Sequence, residues 1–331
     1  MTRHWQRTTP LTVALLPLSA IFFIVSALRR LAYRRHWLAV ARLPVPVIVV
    51  GNITAGGTGK TPLVLWLAQF LREHGFHPGI VSRGYRGTAK EPQAVNAGSD
   101  ARVCGDEPVL LARRSGCPLW IGRDRTAAAR ALLAAHPQCD VILSDDGLQH
   151  YRLARDVEIA VIDGARGFGN GFPLPAGPLR EPPARLAAVD VVVVHRADAS
   201  GSANFGDSAS SITMTLAGRT FRNLLNPACT VSAEHFTGQR LHAVAGIGEP
   251  QRFFRHLTRL GLTFTAHPFP DHHAYKPADL GFSDCDAIVM TEKDAVKCAE
   301  FCSERCWTLP VDAEVDRRVG DILLHKLRKR A

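Results

Sequence analysis

Lys60 and Thr61 close the run Thr54-Ala55-Gly56-Gly57-Thr58-Gly59-Lys60-Thr61, which follows the apolar segment "VPVIVV" and the dipeptide-flanked Gly51. Three glycines ahead of a lysine and a hydroxyl residue, between a buried strand and a helix, are the parts of a phosphate-binding loop. Glycines let backbone N–H groups turn onto phosphate oxygens, and the helix N-terminus adds positive partial charge. In such a loop Lys60 reaches the β- and γ-phosphates of a nucleotide and the Thr61 hydroxyl holds Mg²⁺. Thr54 stands where the strict pattern has its opening glycine. The core G-G-T-G-K-T instead matches the variant loops of a related NTPase branch, several of which carry a lysine at the place of Ala55.

A second constellation is "CDVILSDDGLQH". Apolar Val141, Ile142 and Leu143 deliver Asp145 and Asp146 to the carboxyl end of a strand, where ligands bind in open α/β sheets. Adjacent carboxylates there suit Mg²⁺, which bridges phosphate oxygens and keeps some of its waters. The alternative is an Asp-Asp-Gly turn with one acid capping a helix. Two segments approach the N-K-x-D base-reading pattern, "HRAD" at His195–Asp198 and "TEKD" at Thr291–Asp294, but neither matches, so GTP specificity is not supported.

These residues need elements to hold them. Short β-branched runs alternate with helical stretches, the pattern of a mostly parallel sheet. Strands are predicted at Val45–Val50, Gly79–Ser82, Leu119–Gly122, Val141–Ser144, Glu158–Asp163 and Val189–His195, with helices at Pro62–Gly75, Asp106–Arg114 and Asp124–His136. The polar stretch Arg196–Ser211 reads as a boundary. Beyond it, "LHAVAGIGEPQRFFRHL" and "DAIVMTEKDAVK" each read as a strand turning into a helix. The expected fold is therefore α/β: a P-loop NTPase-like, mostly parallel sheet with helices on both faces over residues 44–200. A smaller C-terminal α/β part over 212–331 closes the cleft, and an N-terminal membrane helix lies within 1–43.

The charge distribution places the protein. Net charge is +10, yet residues 1–72 contain nine Lys or Arg and no Asp or Glu, which leaves about +1 for all the rest. A nucleic-acid binder would more often spread its cations over a folded face, so nucleic acid is not an expected partner. Cations beside an apolar segment suit an anionic membrane surface. That segment, Leu11 to Leu28, has no charge and spans roughly 27 Å as a helix, just short of the hydrocarbon thickness. Arg29, Arg30, Arg34 and Arg35 follow it, against Arg3 and Arg7 before it, which puts its C-terminal side at the cytoplasm. A crossing helix and a shallow in-plane anchor fit equally. Cys298, Cys302 and Cys306 fall at i, i+4 and i+8, read as a small-residue stripe on one helix face.

Taken in order, the apolar basic N-terminus, "VGNITAGGTGKTP", "SRGYRG", "GDEP", "SDDGLQH", "PAGPLRE", "AGIGEPQRFF", "PDHHAY" and "TEKDAVK" resemble the tetraacyldisaccharide 4′-kinase family across essentially the whole chain. The resemblance implies transfer of the γ-phosphate of ATP to the 4′-hydroxyl of a tetraacylated glucosamine disaccharide 1-phosphate, giving lipid IVA at the cytoplasmic face of the inner membrane. It implies ATP, Mg²⁺, the membrane lipid and the anionic membrane surface as partners. It also implies roles: Asp106 as base with His272 polarising it (His273 being the alternative), and Lys60 and Arg180 at the reacting phosphate. Tyr85, Glu107, Arg125 and Gln149 are implied at the lipid. In "SRGYRG", Arg86 and Gly87 stand where the family pattern has glycine then arginine, which leaves the basic contact beside Tyr85 open.

Another class of function shares some features. Loops of the G-G-x-G-K-T type with a basic apolar helix also occur in membrane-cycling ATPase switches, but Ala55 lacks the signature lysine of that branch. A GTP-dependent metallochaperone would want a Cys-x-x-Cys site, and the sequence has none.

Overall fold

The computed structural model describes residues 2–196 and 211–329. In chain order the first part holds α1 (Pro10–Arg34), β1 (Val47–Gly51), α2 (Lys60–Glu73), β2 (Pro78–Ser82), β3 (Gln93–Val95), α3 (Ala101–Cys104) and α4 (Asp106–Ser115). Next come β4 (Leu119–Ile121), α5 (Arg125–Ala135), β5 (Val141–Ser144), β6 (Val157–Asp163), β7 (Val191–His195) and β8 (Ser211–Ala217). The remainder is β9 (Phe221–Asn223), β10 (Thr230–Val231), β11 (Leu241–Ala245), α6 (Pro250–Arg259), β12 (Thr265–Pro268), β13 (Ala287–Thr291), α7 (Glu292–Cys298), β14 (Cys306–Leu309), β15 (Asp312–Val315) and α8 (Arg318–Arg328).

Nine strands form the first sheet in the order β15-β8-β7-β6-β1-β5-β2-β4-β3. The run from β8 to β4 is parallel throughout, and only the edge strands β15 and β3 are antiparallel. β1 is buried along its whole length, as a strand covered on both faces must be. Its pleat sends Ile48 and Val50 to one face, where Leu63, Leu67 and Leu71 of α2 meet Val109 of α4 and Leu323 of α8. Val47 and Val49 go to the other face, with Ala129 and Leu132 of α5. The apolar positions of α2 recur at three- and four-residue spacing, which makes one buried stripe. Six strands form the second sheet, β10-β9-β14-β13-β11-β12, with α6 and α7 returning the chain between its parallel strands.

Two expectations change. β8, β15 and α8 all follow the polar stretch in sequence, yet they extend and cover the first sheet, so the split at 200–212 is not a split by sheet. Residues 197–210, most of that stretch and the end of "HRAD", lie outside the described residues. The cysteine stripe is not one helix face either: α7 ends at Cys298, Cys302 lies in the turn beyond, and Cys306 opens β14. Cys298 and Cys306 are core residues of the second lobe, packed near Tyr275 and Met290.

α1 is longer than its uncharged stretch, 25 residues starting from a Thr9–Thr12 capping box. It is long and apolar enough to cross a membrane, and little of it is buried. Thr12 and Ser19 are its buried residues; the Ser19 hydroxyl donates to the Pro173 carbonyl and accepts from the Ala176 N–H, both at 2.9 Å. Ile21, Ile24, Val25 and Leu28 stay exposed.

These two kinds of apolar residue should respond differently to truncation. Leu67→Ala opens a hole in a fully buried stripe and is expected to cost about 2–5 kcal/mol in urea unfolding. Ile24→Ser, on the outer face of α1, should stay within about 0.5 kcal/mol. Equal losses would mean that α1 is packed into the body.

Candidate active site

β1 lies between β5 and β6 while the chain crosses from one side of it to the other, so its carboxyl end is a topological switch point. The phosphate loop leaves from there. A Cβ on Gly51 would sit 2.5 Å from the Cβ of Leu148, which shows how closely the loop's root packs on the turn after β5. Gly59 adopts φ +91° as the cap of α2, a conformation that only glycine takes without strain. α2 starts at Lys60, two residues before the predicted start at Pro62, so Lys60 and Thr61 form its first turn.

The loop's outer limb is fixed by "PAGPLRE". The Ala55 N–H donates to the Pro178 carbonyl at 2.7 Å, and the Arg180 N–H donates to the Ile53 carbonyl at 2.7 Å. Thr54 is buried in this seam, so it supports the loop and does not reach the cleft. Ala55, Gly56, Gly57, Thr58, Gly59, Lys60 and Thr61 do line the cleft, whose volume is about 1100 Å³.

Asp145 and Asp146 stand beside the loop. Lys60 Nζ is 3.4 Å from Asp146 Oδ1, and Arg180 Nη1 holds the same carboxylate at 3.1 Å. Burial alone would raise the pKa of Asp146, but the cations Lys60, Arg180 and Arg125 outweigh it and hold this carboxyl well below the usual range. Asp145 goes the other way. Burial, aided by the Glu107 and Asp146 charges, pushes it up to about 6, and its described side-chain donor is the Ser82 hydroxyl at 3.0 Å.

Arg125 departs from the expected place at the lipid. Only 5% exposed, it lies beneath the turn and donates through Nη2 to the carbonyls of Asp145 and Asp146, at 3.1 and 2.7 Å. It shapes the two-acid turn from below. Gln149 lines the cleft and is held by Asn52 and Glu181, at 2.9 and 2.8 Å.

The opposite wall comes from the second lobe. β11, β12 and β13 point their carboxyl ends at those of β1, β5 and β6; the loops after β11 and β12 supply Gly248, Asp271 and His272, and the first turn of α7 supplies Lys293. His272 Nδ1 is 2.9 Å from Asp106 Oδ2, which joins the two sequence segments across the cleft. His272 lines the cleft, whereas Asp106, 6% exposed, sits behind it. Asp106 is held below the ordinary carboxylate range because the His272 hydrogen bond and the Lys293 charge outweigh its burial. His273 turns away to Asp279, at 3.0 Å, and stacks on Phe269, so the neighbouring histidines are told apart.

Asp146 and His272 both have positive φ, +46° and +60°. For residues other than glycine this is an uncommon, strained backbone, of the sort kept where function needs a fixed side chain. Tyr85 meets the His272 ring edge-on at 5.7 Å. Arg86 reaches the Asp271 carbonyl across the cleft, and Gly87 sits where a Cβ would run into the Val103 carbonyl at 2.3 Å. Packing thus requires glycine at 87, while Arg86 holds a left-handed backbone, φ +62°, that glycine would adopt without strain.

Lys293 was not singled out as a site residue from sequence. Its ammonium stands 3.1 Å from Glu107, 3.5 Å from Asp271, 3.9 Å from Asp106 and 3.4 Å from His272 Nε2. Three acids keep it charged against its burial. The companion Asp294 is structural: fully buried, it accepts from the Gly246 N–H and the Thr291 hydroxyl. The signal for Lys293 in the sequence is its place where "DAIVMTEKDAVK" turns from strand into helix.

Comparison with known proteins places this geometry. The family model described as Tetraacyldisaccharide-1-P 4'-kinase matches residues 11–328. A Tetraacyldisaccharide 4'-kinase of Azoarcus sp. (strain BH72) is 52% identical over 325 residues, 98% of this chain and 94% of that one. The enzyme of that name from Nitrosococcus oceani is 48% identical over 330 residues, 99% of this chain and 94% of its own. Among solved structures, LpxK from Aquifex aeolicus in complex with ATP superposes with a TM-score of 0.82 at 26% identity, covering 96% of this chain and 99% of that one. The chain belongs to the tetraacyldisaccharide 4′-kinase family.

Proposed function

We propose that this chain is an ATP-dependent lipid kinase that phosphorylates the 4′-hydroxyl of a tetraacylated glucosamine disaccharide 1-phosphate, forming lipid IVA in lipid A biosynthesis. The observation that carries this reading is the make-up of one cleft. A phosphate loop, His272 with its carboxylate partner behind it, and the apolar residues Phe22, Phe23 and Leu31 of α1 all belong to it. A nucleotide, a hydroxyl group and an acyl chain would meet there.

Catalysis is mainly positioning and charge. Lys60 neutralises the transferring phosphoryl once its hold on Asp146 is exchanged for phosphate oxygen, and Arg180 flanks the same point. The acceptor hydroxyl must lose its proton as its oxygen bonds to the γ-phosphorus and ADP departs. His272 Nε2 faces the cleft with Lys293 as its neighbour, while Nδ1 is held by Asp106. The pair takes the proton at the imidazole, with Asp106 fixing the ring from behind. This reverses the order in which the sequence reading cast the two residues. Tyr85 and Glu107 stand near this pair and Gln149 lines the same cleft beside Arg180, from where they would orient the sugar.

Mg²⁺ fits the residues present. Thr61, Asp145 and Asp146 offer only oxygen donors, and Asp145, whose ionisation is disfavoured by burial and neighbouring acids, gains most from a nearby cation. When bound, the ion would neutralise charge on the β- and γ-phosphates.

The ties of α1 to the body support one orientation. Ahead of the helix, the Trp5 indole donates to Pro175; at mid-helix Ser19 bonds the same loop; near its end Tyr33 packs on Tyr151. Just after it, the Ala41 N–H donates to the Arg152 carbonyl at 2.7 Å. Both ends of a rod roughly 37 Å long thus rest on one body, which favours an anchor lying in the cytoplasmic interface, apolar face down, over a crossing helix.

Four outcomes test this. Purified protein given labelled ATP and the disaccharide lipid should yield a product heavier by one phosphate, with negligible ATP turnover when lipid is absent. Lys60→Ala should reduce that rate by about a hundredfold or more, and near-normal turnover would remove the phosphate-loop assignment. Asp106→Ala and His272→Ala should each slow transfer strongly, with the double variant little worse than the worse single; multiplying losses would separate the pair. In inside-out inner-membrane vesicles, a tag ahead of Met1 should be digested by added protease. Protection of the tag would show that α1 crosses.

A further inference from the structure

Two arginines with no part in the scheme above line the cleft, and one of them rests on the phosphate loop. Arg166, in the turn after β6, donates through Nε to the Asp163 carboxylate at 2.8 Å and through Nη2 to the Gly57 carbonyl. Its guanidinium occupies the side of the loop that a Cβ on Gly56 would enter, 2.9 Å from Nη1. A cation thus rests on a neutral carbonyl at the mouth of a loop built for phosphate oxygens. A triphosphate is a far stronger acceptor for a guanidinium than an amide oxygen is.

Asp163 is a branch point. Its buried carboxylate also accepts from the Ala165 and Arg166 N–H groups and from Arg252 Nη2 at 2.7 Å. Arg252 belongs to α6 of the second lobe, where Glu249 is 2.9 Å away as its other partner. The chain Gly57–Arg166–Asp163–Arg252 therefore runs from the phosphate loop of one sheet to a helix of the other.

We propose that Arg166 is a further phosphate-positioning residue, one that leaves the Gly57 carbonyl for the phosphates of the bound nucleoside triphosphate and signals loop occupancy through Asp163 to Arg252. When Arg166 turns to phosphate, Asp163 loses part of one cationic partner and holds Arg252 more strongly. That shift draws α6 toward the end of β6 and commits the second lobe to the nucleotide. The inference rests on the ATP reading of the loop.

The test is equilibrium binding of ATP, ADP and AMP with Mg²⁺ to the full-length protein, comparing wild type with Arg166→Ala, Arg166→Lys, Arg252→Ala, the Arg166/Arg252 double alanine variant and Lys60→Ala. Arg166→Ala should weaken ATP by about tenfold or more and leave AMP nearly unchanged, and Arg166→Lys should recover part of the loss. Arg252→Ala should weaken ATP as well, with the double variant no worse than Arg166→Ala alone. Wild-type ATP affinity in Arg166→Ala, or equal losses for ATP and AMP, would overturn the phosphate contact; multiplying losses would overturn the relay. Lys60→Ala keeps the two levels apart. If it binds ATP as wild type does, the loop reading itself fails; if it alone loses ATP, only the role of Arg166 fails.

Discussion

Two carboxylates side by side at the end of β5 repel one another, and much of the cleft is arranged around containing them. Arg125 grips the carbonyls of both aspartates from below, Lys60 and Arg180 neutralise Asp146 from the cleft side, and Ser82 donates to Asp145. Hydrogen bonds to charged groups contribute about 1.5–3 kcal/mol each, enough to hold Asp146 in its strained backbone conformation. The same contacts fix the neighbours. Lys60 opens α2, Arg180 follows the strip that stitches the outer limb of the phosphate loop, and Gly51 packs on the turn itself.

The second constraint is that a parallel sheet concentrates its free ends at one edge. Here two such edges face each other, and side chains bridge the gap in pairs: the Asp106–His272 hydrogen bond and the ion pairs of Glu107 with Lys293, Asp163 with Arg252 and Arg114 with Glu292. Several of these groups are substantially buried, so each needs its partner from the other lobe to avoid an uncompensated charge. The lobes are consequently joined through the site, and whatever binds in the cleft competes with the contacts that hold it together.

What could be read from sequence follows the range over which each signal acts. β5 was placed to the residue, because Val141 to Leu143 form a short buried run with turn residues after it. The phosphate loop was legible for the same reason, its function being written in consecutive residues. The sheet membership of β15 was not legible, since pairing of Glu314 with Thr215 joins positions far apart in sequence. Nor was the depth of Arg125: a lone arginine carries no mark of whether it faces substrate or backbone carbonyls. The resemblance paired Asp106 with His272, and the structure puts them in contact, but which of them stands in front depends on the burial of Asp106 at the start of α4. The polarity of "TEKD" hid opposite fates for two neighbouring charged residues, with Lys293 on the cleft and Asp294 sealed in the core.

α1 has two faces with different duties. Ile21, Ile24 and Leu28 point outward, while Phe22, Ser26 and Ala27 on the same few turns line the cleft. For an enzyme resting on such a helix, the acceptor need never cross water. It would drift sideways within one leaflet, its chains staying in hydrocarbon while its sugar head slides under the rim, so encounter becomes a search in two dimensions. The effective supply of acceptor is then its surface density among other lipids, whereas ATP arrives from bulk solution. Diluting the lipid with inert neighbours would slow the enzyme at constant total concentration, a regime in which the usual volume-based Michaelis constant has no fixed meaning.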